Sequence, residues 1–216
     1  LGEWANFTIH FESVLPDGDA DRCNIYGTDV SESKIIKYAV AYPMTCVYDS
    51  FDGWNLDPYL HTGDPFYSEM AFQTMEVTVP KEMIVAGTGQ IQSKTVQGNE
   101  STYFFDPLLP VRELTFSASR YFIQESMLWE GINVSLFYLE DAEYLWSAEG
   151  LSIAEEAFEL FTQIGEYPYP TLNIVEEYTQ HGGMEHPLQI YIASDYSDYS
   201  SANPYFKEEV AHEMGH

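Results

Sequence analysis

The spacing of apolar residues changes near residue 138, and this change constrains the fold more than any other feature of the sequence. Before that point apolar and polar residues alternate, for example over 75–79, 114–118 and 132–136. A period of two residues is typical of strands that bury one face, and such strands form mostly antiparallel sheets. The sequence therefore predicts a mainly β N-terminal domain over 1–138, an antiparallel β-sandwich or saddle-like sheet.

After residue 138 the apolar residues recur at helical spacing, which predicts a second, α+β domain over 139–216. A first amphipathic helix places Leu151, Phe158 and Phe161 on one face. The elements predicted after it follow in the order strand, glycine loop, strand and helix, over 171–178, 182–183, 188–193 and 205–216.

The composition excludes several classes of partner. Eight Lys and Arg residues against 35 Asp and Glu residues give a formal net charge of −27. Few groups can therefore neutralise phosphates, and we expect no nucleic acid partner and no anionic membrane surface. No apolar run approaches the ~18 residues of a membrane span. The acidity favours a secreted, cell-surface or salt-adapted protein and does not decide among them.

The two cysteines, Cys23 and Cys46, form no metal-binding or redox motif. Two buried thiols are the expectation, and a disulfide between them is the alternative in an oxidising compartment. The cysteines alone therefore leave the redox compartment open.

The chain ends in the sequence HEMGH, which fits the zinc-binding pattern HExxH. An Asn-Pro pair at 203–204 is typical of a helix start and places HEMGH on a helix over 205–216. Side chains four residues apart share one helical face, so the imidazoles of His212 and His216 can bind one zinc ion. Glu213 can then take a proton from a zinc-bound water as general base. The alternative is a solvated helix end without a metal.

A second pattern, GGMEH at 182–186, lies between the two predicted strands of the second domain. Paired glycines let a backbone pass close to a ligand, and the carboxylate of Glu185 can anchor a cationic group. The alternative is an ordinary hairpin with glycine at its turn.

Together, GGMEHP and the later EVAHEMGH resemble the aminopeptidase N-type zinc metallopeptidases, also called gluzincin aminopeptidases. Members of that family carry a GxMEN loop, then HExxH, then a third ligand, a glutamate, on a later helix. Segments 63–69, 111–120 and 167–170 are also similar to the family, and the match suits a divergent bacterial-type member. The resemblance implies that 139–216 is the start of a thermolysin-like catalytic domain.

The resemblance also implies a role for each matching residue. His212 and His216 would bind zinc, and Glu213 would act as the general base. Glu185 would hold the free α-amine of a peptide substrate. The backbone that would lie beside the substrate belongs to Gly182, Gly183 and Met184.

The sequence departs from the family pattern in three places that matter for function. One is the region 42–49, which has no counterpart of the segments that help bind the amine in the family. His186 stands where the family has Asn, which leaves open whether peptide ends or internal bonds are preferred. The third-ligand Glu and a transition-state Tyr are expected beyond His216, and two imidazoles alone make a poor zinc site. We therefore expect these 216 residues to be an incomplete fragment, inactive alone and able to self-associate.

The resulting interpretation is an aminopeptidase-like zinc metallopeptidase that hydrolyses peptide bonds with zinc-activated water and a glutamate general base. Its expected partner is a peptide substrate. An endopeptidase of the same zinc class is one alternative, and a non-catalytic β-domain scaffold with a vestigial metal site is another. The intact Glu213 favours the enzyme, because a decayed site has no need of that carboxylate.

Overall fold

The computed structural model describes residues 4–16, 23–26, 35–51, 53–58, 67–178, 182–193 and 204–216. The described strands up to residue 138 are β1 Cys23–Tyr26, β2 Ile35–Ala39, β3 Tyr48–Asp49, β4 Gly53–Trp54, β5 Met75–Pro80, β6 Ile84–Gly87, β7 Gln90–Gln97, β8 Glu100–Asp106, β9 Thr115–Ser119, β10 Ile123–Trp129 and β11 Ile132–Tyr138. The elements that follow are α1 Glu143–Leu145, α2 Leu151–Phe161, β12 Thr171–Glu177, β13 Gly183–His186, β14 Gln189–Ala193 and α3 Pro204–Gly215. A 3₁₀ turn at Glu140–Ala142 and a π turn at Trp146–Gly150 flank α1.

The N-terminal β region, which we define as β1 to β9, consists of antiparallel sheets. One has the strand order β1-β2-β9-β6, another has the order β5-β8-β7, and β3 pairs with β4. The alternation over 75–79 is confirmed in β5, where Val77 and Val79 are buried and the residues on either side of each are more exposed. Both valines pack against Phe105 of β8 in one apolar cluster.

The C-terminal α/β region, which we define as β10 to α3, is built on a mixed five-stranded sheet. Its strand order is β10-β11-β12-β14-β13, and β12 runs parallel to both β11 and β14. β12 is buried along its whole length, as is typical of a central strand. A domain boundary near residue 138 stays a prediction; because β11 pairs with β12, a cut there would divide this sheet.

One face of this sheet is covered by α2 and α3, which pack around Trp146. The Trp146 ring is fully buried, and its centroid lies 5.2 Å from that of Phe206 in α3. Phe158 of α2 and Ile174 of β12 belong to the same cluster. Phe206 and Val210 are four residues apart and share the buried face of α3. This packing fixes the orientation of the helix that carries HEMGH.

The opposite face of the same sheet packs against the N-terminal β region. Phe137, Val175 and Tyr191 are register partners on three neighbouring strands. They form one cluster with Ile35 and Ala39 of β2. The two regions are therefore joined by a shared apolar cluster, which we call the junction cluster.

Buried hydrogen bonds cross the same junction. The Ser117 hydroxyl of β9 donates to the carboxylate of Glu177 in β12. The amide of Asn173 donates to the carbonyl of Gly87 at 3.0 Å. These bonds satisfy polar groups that would otherwise be costly to bury.

The expected fold class is confirmed, since the described chain is mostly β with antiparallel sheets. One local prediction is wrong: the glycine loop expected at 182–183 leads directly into strand β13, Gly183–His186. This strand is short and starts with a glycine, so it has no alternation that periodicity could detect.

Cys46 is a free, exposed cysteine, which corrects the expectation of two buried thiols. It lies in the surface connection between β2 and β3, where little of the chain covers it. The Cys23 side chain and residues 63–66 of the family-like segment lie outside the described residues. Within the described ranges, none of the helices combines the length and the apolar character that a membrane span requires.

Candidate metal and peptide site

Helix α3 presents the two histidines of HEMGH at its C-terminal end. His212 and His216 are exposed, and their Nε2 atoms lie 3.2 Å apart. Two nitrogen atoms that each lie ~2.1 Å from a tetrahedral zinc ion are roughly 3.4 Å apart. The two rings therefore have a spacing that fits zinc ligands, and a hydrogen bond between the rings would have a similar spacing.

Glu213 lies on the same turn and is buried, with 6% of its surface exposed. Its Oε2 atom is buried and has no hydrogen-bond partner among the described residues. Burial, and then the negative charges of Glu185 and Glu209, raise the pKa of Glu213 to about 8. A cation placed beside these carboxylates would offset their repulsion, which is the environment that a metal ion provides.

Strand β13 brings the second sequence pattern to the same place. It is the outermost strand of the sheet and pairs with β14 in antiparallel register. One ligating atom each from Glu185, Glu213 and His216 lies within 4.8 Å of the other two. The imidazoles of His212 and His216 are donors that suit zinc, and the two carboxylates lie beside them.

Gly182 and Gly183 allow α3 to approach β13 closely. A Cβ atom on Gly183 would lie 2.5 Å from Cγ and Oε1 of Glu213, and one on Gly182 would lie 2.4 Å from Oε1 of Glu209. Gly182 also has a φ of +67°, in the left-handed region that favours glycine. The carbonyl of Gly182 accepts the Ala193 N–H at 2.7 Å. The backbone at this point is therefore shaped by the approach of the helix.

Met184 and His186 lie on the other face of β13, toward the N-terminal β region. Met184 packs against the junction cluster. The ring N–H of His186 at Nδ1 donates to Oε1 of Glu113 at 2.6 Å, and both side chains are buried. Burial would raise the pKa of Glu113, but the hydrogen bond and charge of His186 and the charge of Arg112 hold it below its ordinary value. The residue that departs from the family pattern is thus tied to a carboxylate of the other region.

A cavity of about 760 Å³ opens beside these groups. Its polar side contains Glu185, Glu213 and His216. Its apolar side is formed by side chains from α2 and the segment after it, among them Phe158, Phe161, Tyr167 and Tyr169. A cavity of this size, with an apolar wall and convergent polar groups, suits a small-molecule or peptide-sized ligand.

Three residues near the site were not identified from the sequence: Arg112, Glu113 and Glu209. The signal for Glu209 was present, because two like charges four residues apart on a helix destabilise it unless something compensates. Glu209 and Glu213 have that spacing. Arg112 and Glu113 had no such local signal.

Comparison with solved structures identifies zinc metallopeptidases of similar fold. An M1 zinc metallopeptidase from Deinococcus radiodurans is similar over 84% of this chain, with a TM-score of 0.52 and 16% identity. A mutant M1 zinc metallopeptidase from the same organism, bound to a Tyr-Ser-Ala substrate, is similar over 68% of this chain, with a TM-score of 0.51 and 17% identity. The present chain spans only 40% and 34% of those two chains. No protein-family model and no curated protein matches the sequence.

At this level of identity the likeness establishes the fold. The mostly β architecture with antiparallel sheets matches the N-terminal β domain of an M1 peptidase. Fold alone does not establish an activity, which has to be argued from the site.

Proposed function

We propose that this chain carries part of the active site of an aminopeptidase-like zinc metallopeptidase, which hydrolyses peptide bonds with Glu213 as the general base. The observation that carries the proposal is the 3.2 Å spacing of the His212 and His216 Nε2 atoms beside the buried carboxylate of Glu213. The likeness in fold to M1 zinc metallopeptidases supports it.

His212 and His216 would hold the zinc ion. Catalytic zinc usually has three protein ligands and a water, so we expect a third ligand, a glutamate, from outside these 216 residues. When bound, zinc supplies Lewis acidity and makes a water molecule nucleophilic at neutral pH.

Glu213 would take the proton of the attacking water and deliver it to the leaving amine. It follows His212 directly in α3, and its Oε2 atom has no hydrogen-bond partner among the described residues. A buried carboxylate one residue after a zinc ligand would lie within reach of a water held at that site, which is the placement that a general base requires.

Glu185 would hold the free α-amine of the peptide. Its carboxylate lies within 4.8 Å of ligating atoms of Glu213 and His216. An ammonium group bound there would place the first peptide bond of the substrate next to the general base. The backbone beside the bound substrate would come from Gly182, Gly183 and Met184.

The test uses the natural gene product that contains these residues, with any residues that follow His216. Elemental analysis should find about one zinc per chain, and His212→Ala should lose the metal. Glu213→Gln should keep the zinc but lower kcat by ~10²-fold or more, because the general base is not a ligand. His10→Ala, at an exposed histidine of the N-terminal segment, is the matched control and should keep both zinc and activity.

Near-normal turnover in Glu213→Gln would rule out the assigned mechanism. A zinc-free protein with no peptidase activity would instead favour the non-catalytic scaffold. The preference for peptide ends is tested separately with Glu185→Gln, which should impair hydrolysis of free-amine peptides far more than that of N-acetylated peptides. Equal loss on both would favour an endopeptidase.

A further inference from the structure

A buried acid–histidine pair joins the N-terminal β region to the strand that carries Glu185. Glu113 lies just before β9, and His186 is the last residue of β13. Their side chains are 0% and 1% exposed, and Nδ1 of His186 lies 2.6 Å from Oε1 of Glu113. Nη2 of Arg112 lies 3.1 Å from the same oxygen. A charge buried to this extent is costly unless it is paired, so each partner depends on the other.

The two faces of β13 contact different parts of the molecule. On one face, Gly183 and Glu185 approach Glu213 of α3. On the other face, Met184 packs against the junction cluster and His186 bonds to Glu113. Glu185 and His186 are consecutive residues of β13 whose side chains point to opposite faces. Any shift of the strand that moves His186 therefore also moves Glu185.

The position of β13 has little support from the sheet itself. It is four residues long, lies at the edge, and pairs with β14 along one side. Short edge strands depend on contacts outside the sheet to hold their place. The bond between His186 and Glu113 supplies such a contact from another region of the chain.

We infer that Glu113 and His186 form a positioning pair, through which the N-terminal β region sets the distance between Glu185 and the histidines of α3. This inference rests on the proposed function in one respect, the role of Glu185 as the anchor for a peptide amine. The mechanical part, that Glu113 holds β13 in place, does not depend on catalysis. The expected effect of the pair is on substrate binding, through the orientation of Glu185.

The experiment replaces Glu113 in the natural gene product and reads out two independent quantities. Glu113→Ala removes the acceptor of the His186 N–H, while Glu113→Gln keeps an acceptor oxygen and removes the charge. Ser117→Ala is the matched control, because it deletes another buried hydrogen bond across the same junction, to Glu177 of β12. Each variant is measured by hydrogen exchange and by kcat and KM on a free-amine peptide.

We expect Glu113→Ala to speed exchange of the amides at 183–186 by ~10-fold or more, with amides of β11 and β12 unchanged. KM for the free-amine peptide should rise ~10-fold, with kcat and zinc content nearly unchanged, because a displaced Glu185 weakens binding of the amine and leaves the general base in place. Glu113→Gln should fall between the wild type and Glu113→Ala. Ser117→Ala should change neither quantity selectively.

Unchanged exchange at 183–186 in Glu113→Ala would overturn the inference, as would an equal loss of protection throughout the chain. If the wild type hydrolyses no peptide, the proposed function fails, and the exchange data still decide whether Glu113 positions β13. If Glu113→Ala does not fold, the same two readouts on Glu113→Gln decide. A change in kcat alone, with KM unchanged, would also overturn the inference.

Discussion

At the scale of single residues, Gly183 occupies a position where any side chain would displace the proposed general base. A Cβ atom there would lie 2.5 Å from Glu213, while one on Gly165 would meet no atom within 4 Å. We expect Gly183→Ala to lower the free energy of unfolding by ~1–3 kcal/mol, the usual cost of overpacking. Gly165→Ala is the control and should stay within ~0.5 kcal/mol of wild type. Urea unfolding checks both, and an unaffected Gly183→Ala would show that α3 can move aside freely.

Glu177 is fully buried at the junction of the two regions. Burial raises its pKa to about 7, although the charge of Lys37 and the hydrogen bond from Ser117 lower it. In the unfolded chain the carboxyl titrates near its ordinary value of 4.5. Between these two pH values the folded protein holds a proton that the unfolded chain has released. The contribution of protonated Glu177 to the stability of the fold is therefore complete below about pH 4.5 and is lost as the pH rises through about 7.

Glu177→Gln should remove this pH dependence, because glutamine does not titrate. We expect the unfolding free energy of Glu177→Gln, relative to wild type, to increase by about 3 kcal/mol between pH 4 and pH 8. Urea titrations of both proteins at several pH values measure the difference, in which the contributions of the other acidic groups cancel. A difference that stays constant with pH would mean that Glu177 is ionised throughout, paired with Lys37.

The residues that could be predicted are those whose proximity is local. His212, Glu213 and His216 lie within one helical turn, so the spacing alone indicates that they come together. Glu113 and His186 are separated by 73 residues, and their contact exists only because two regions pack against each other. No local pattern encodes such a contact, which is why the sequence pointed to the metal pair and missed the carboxylate.

At the scale of elements, α3 shows how a correctly predicted helix can have unpredicted surroundings. The Asn-Pro pair and the HEMGH spacing predicted the helix, and it extends over Pro204–Gly215. Its burial against Trp146 was not predictable, because it depends on an irregular helical turn 60 residues earlier in the chain. An isolated helix of this length is marginal in water, so this packing accounts for most of its stability.

Phe206 is the residue that tests this dependence. It is 0% exposed, while its neighbour Tyr205 is 58% exposed. We expect Phe206→Ala to lower the unfolding free energy by ~3–5 kcal/mol, because it leaves a cavity beside Trp146. Tyr205→Ala, the control at the more exposed neighbour, should cost clearly less than Phe206→Ala, because it leaves no buried cavity. Comparable costs for the two substitutions, measured by urea unfolding, would contradict the packing described for α3.

At the scale of the whole molecule, one sheet combines strands from both sides of residue 138, where the sequence predicted a domain boundary. Alternating strands before residue 138 predicted an N-terminal β domain over 1–138. In the structure, β10 and β11 lie in the same sheet as β12, and the junction cluster draws on both regions. Sequence periodicity reports how each strand is buried and carries no information about which region buries it.

The shared cluster predicts that the two regions unfold together. Phe105 lies in the N-terminal β region and is 1% exposed, whereas Trp146 is buried in the C-terminal α/β region. We expect Phe105→Ala to lower the urea midpoint reported by Trp146 fluorescence, corresponding to ~3–5 kcal/mol, in a background where the other three tryptophans, Trp4, Trp54 and Trp129, are replaced by Phe. The transition seen by circular dichroism should shift equally, because the junction cluster couples the two regions. An unchanged Trp146 midpoint, with a shifted circular dichroism signal, would show instead that the regions unfold independently and that the junction contributes little to stability.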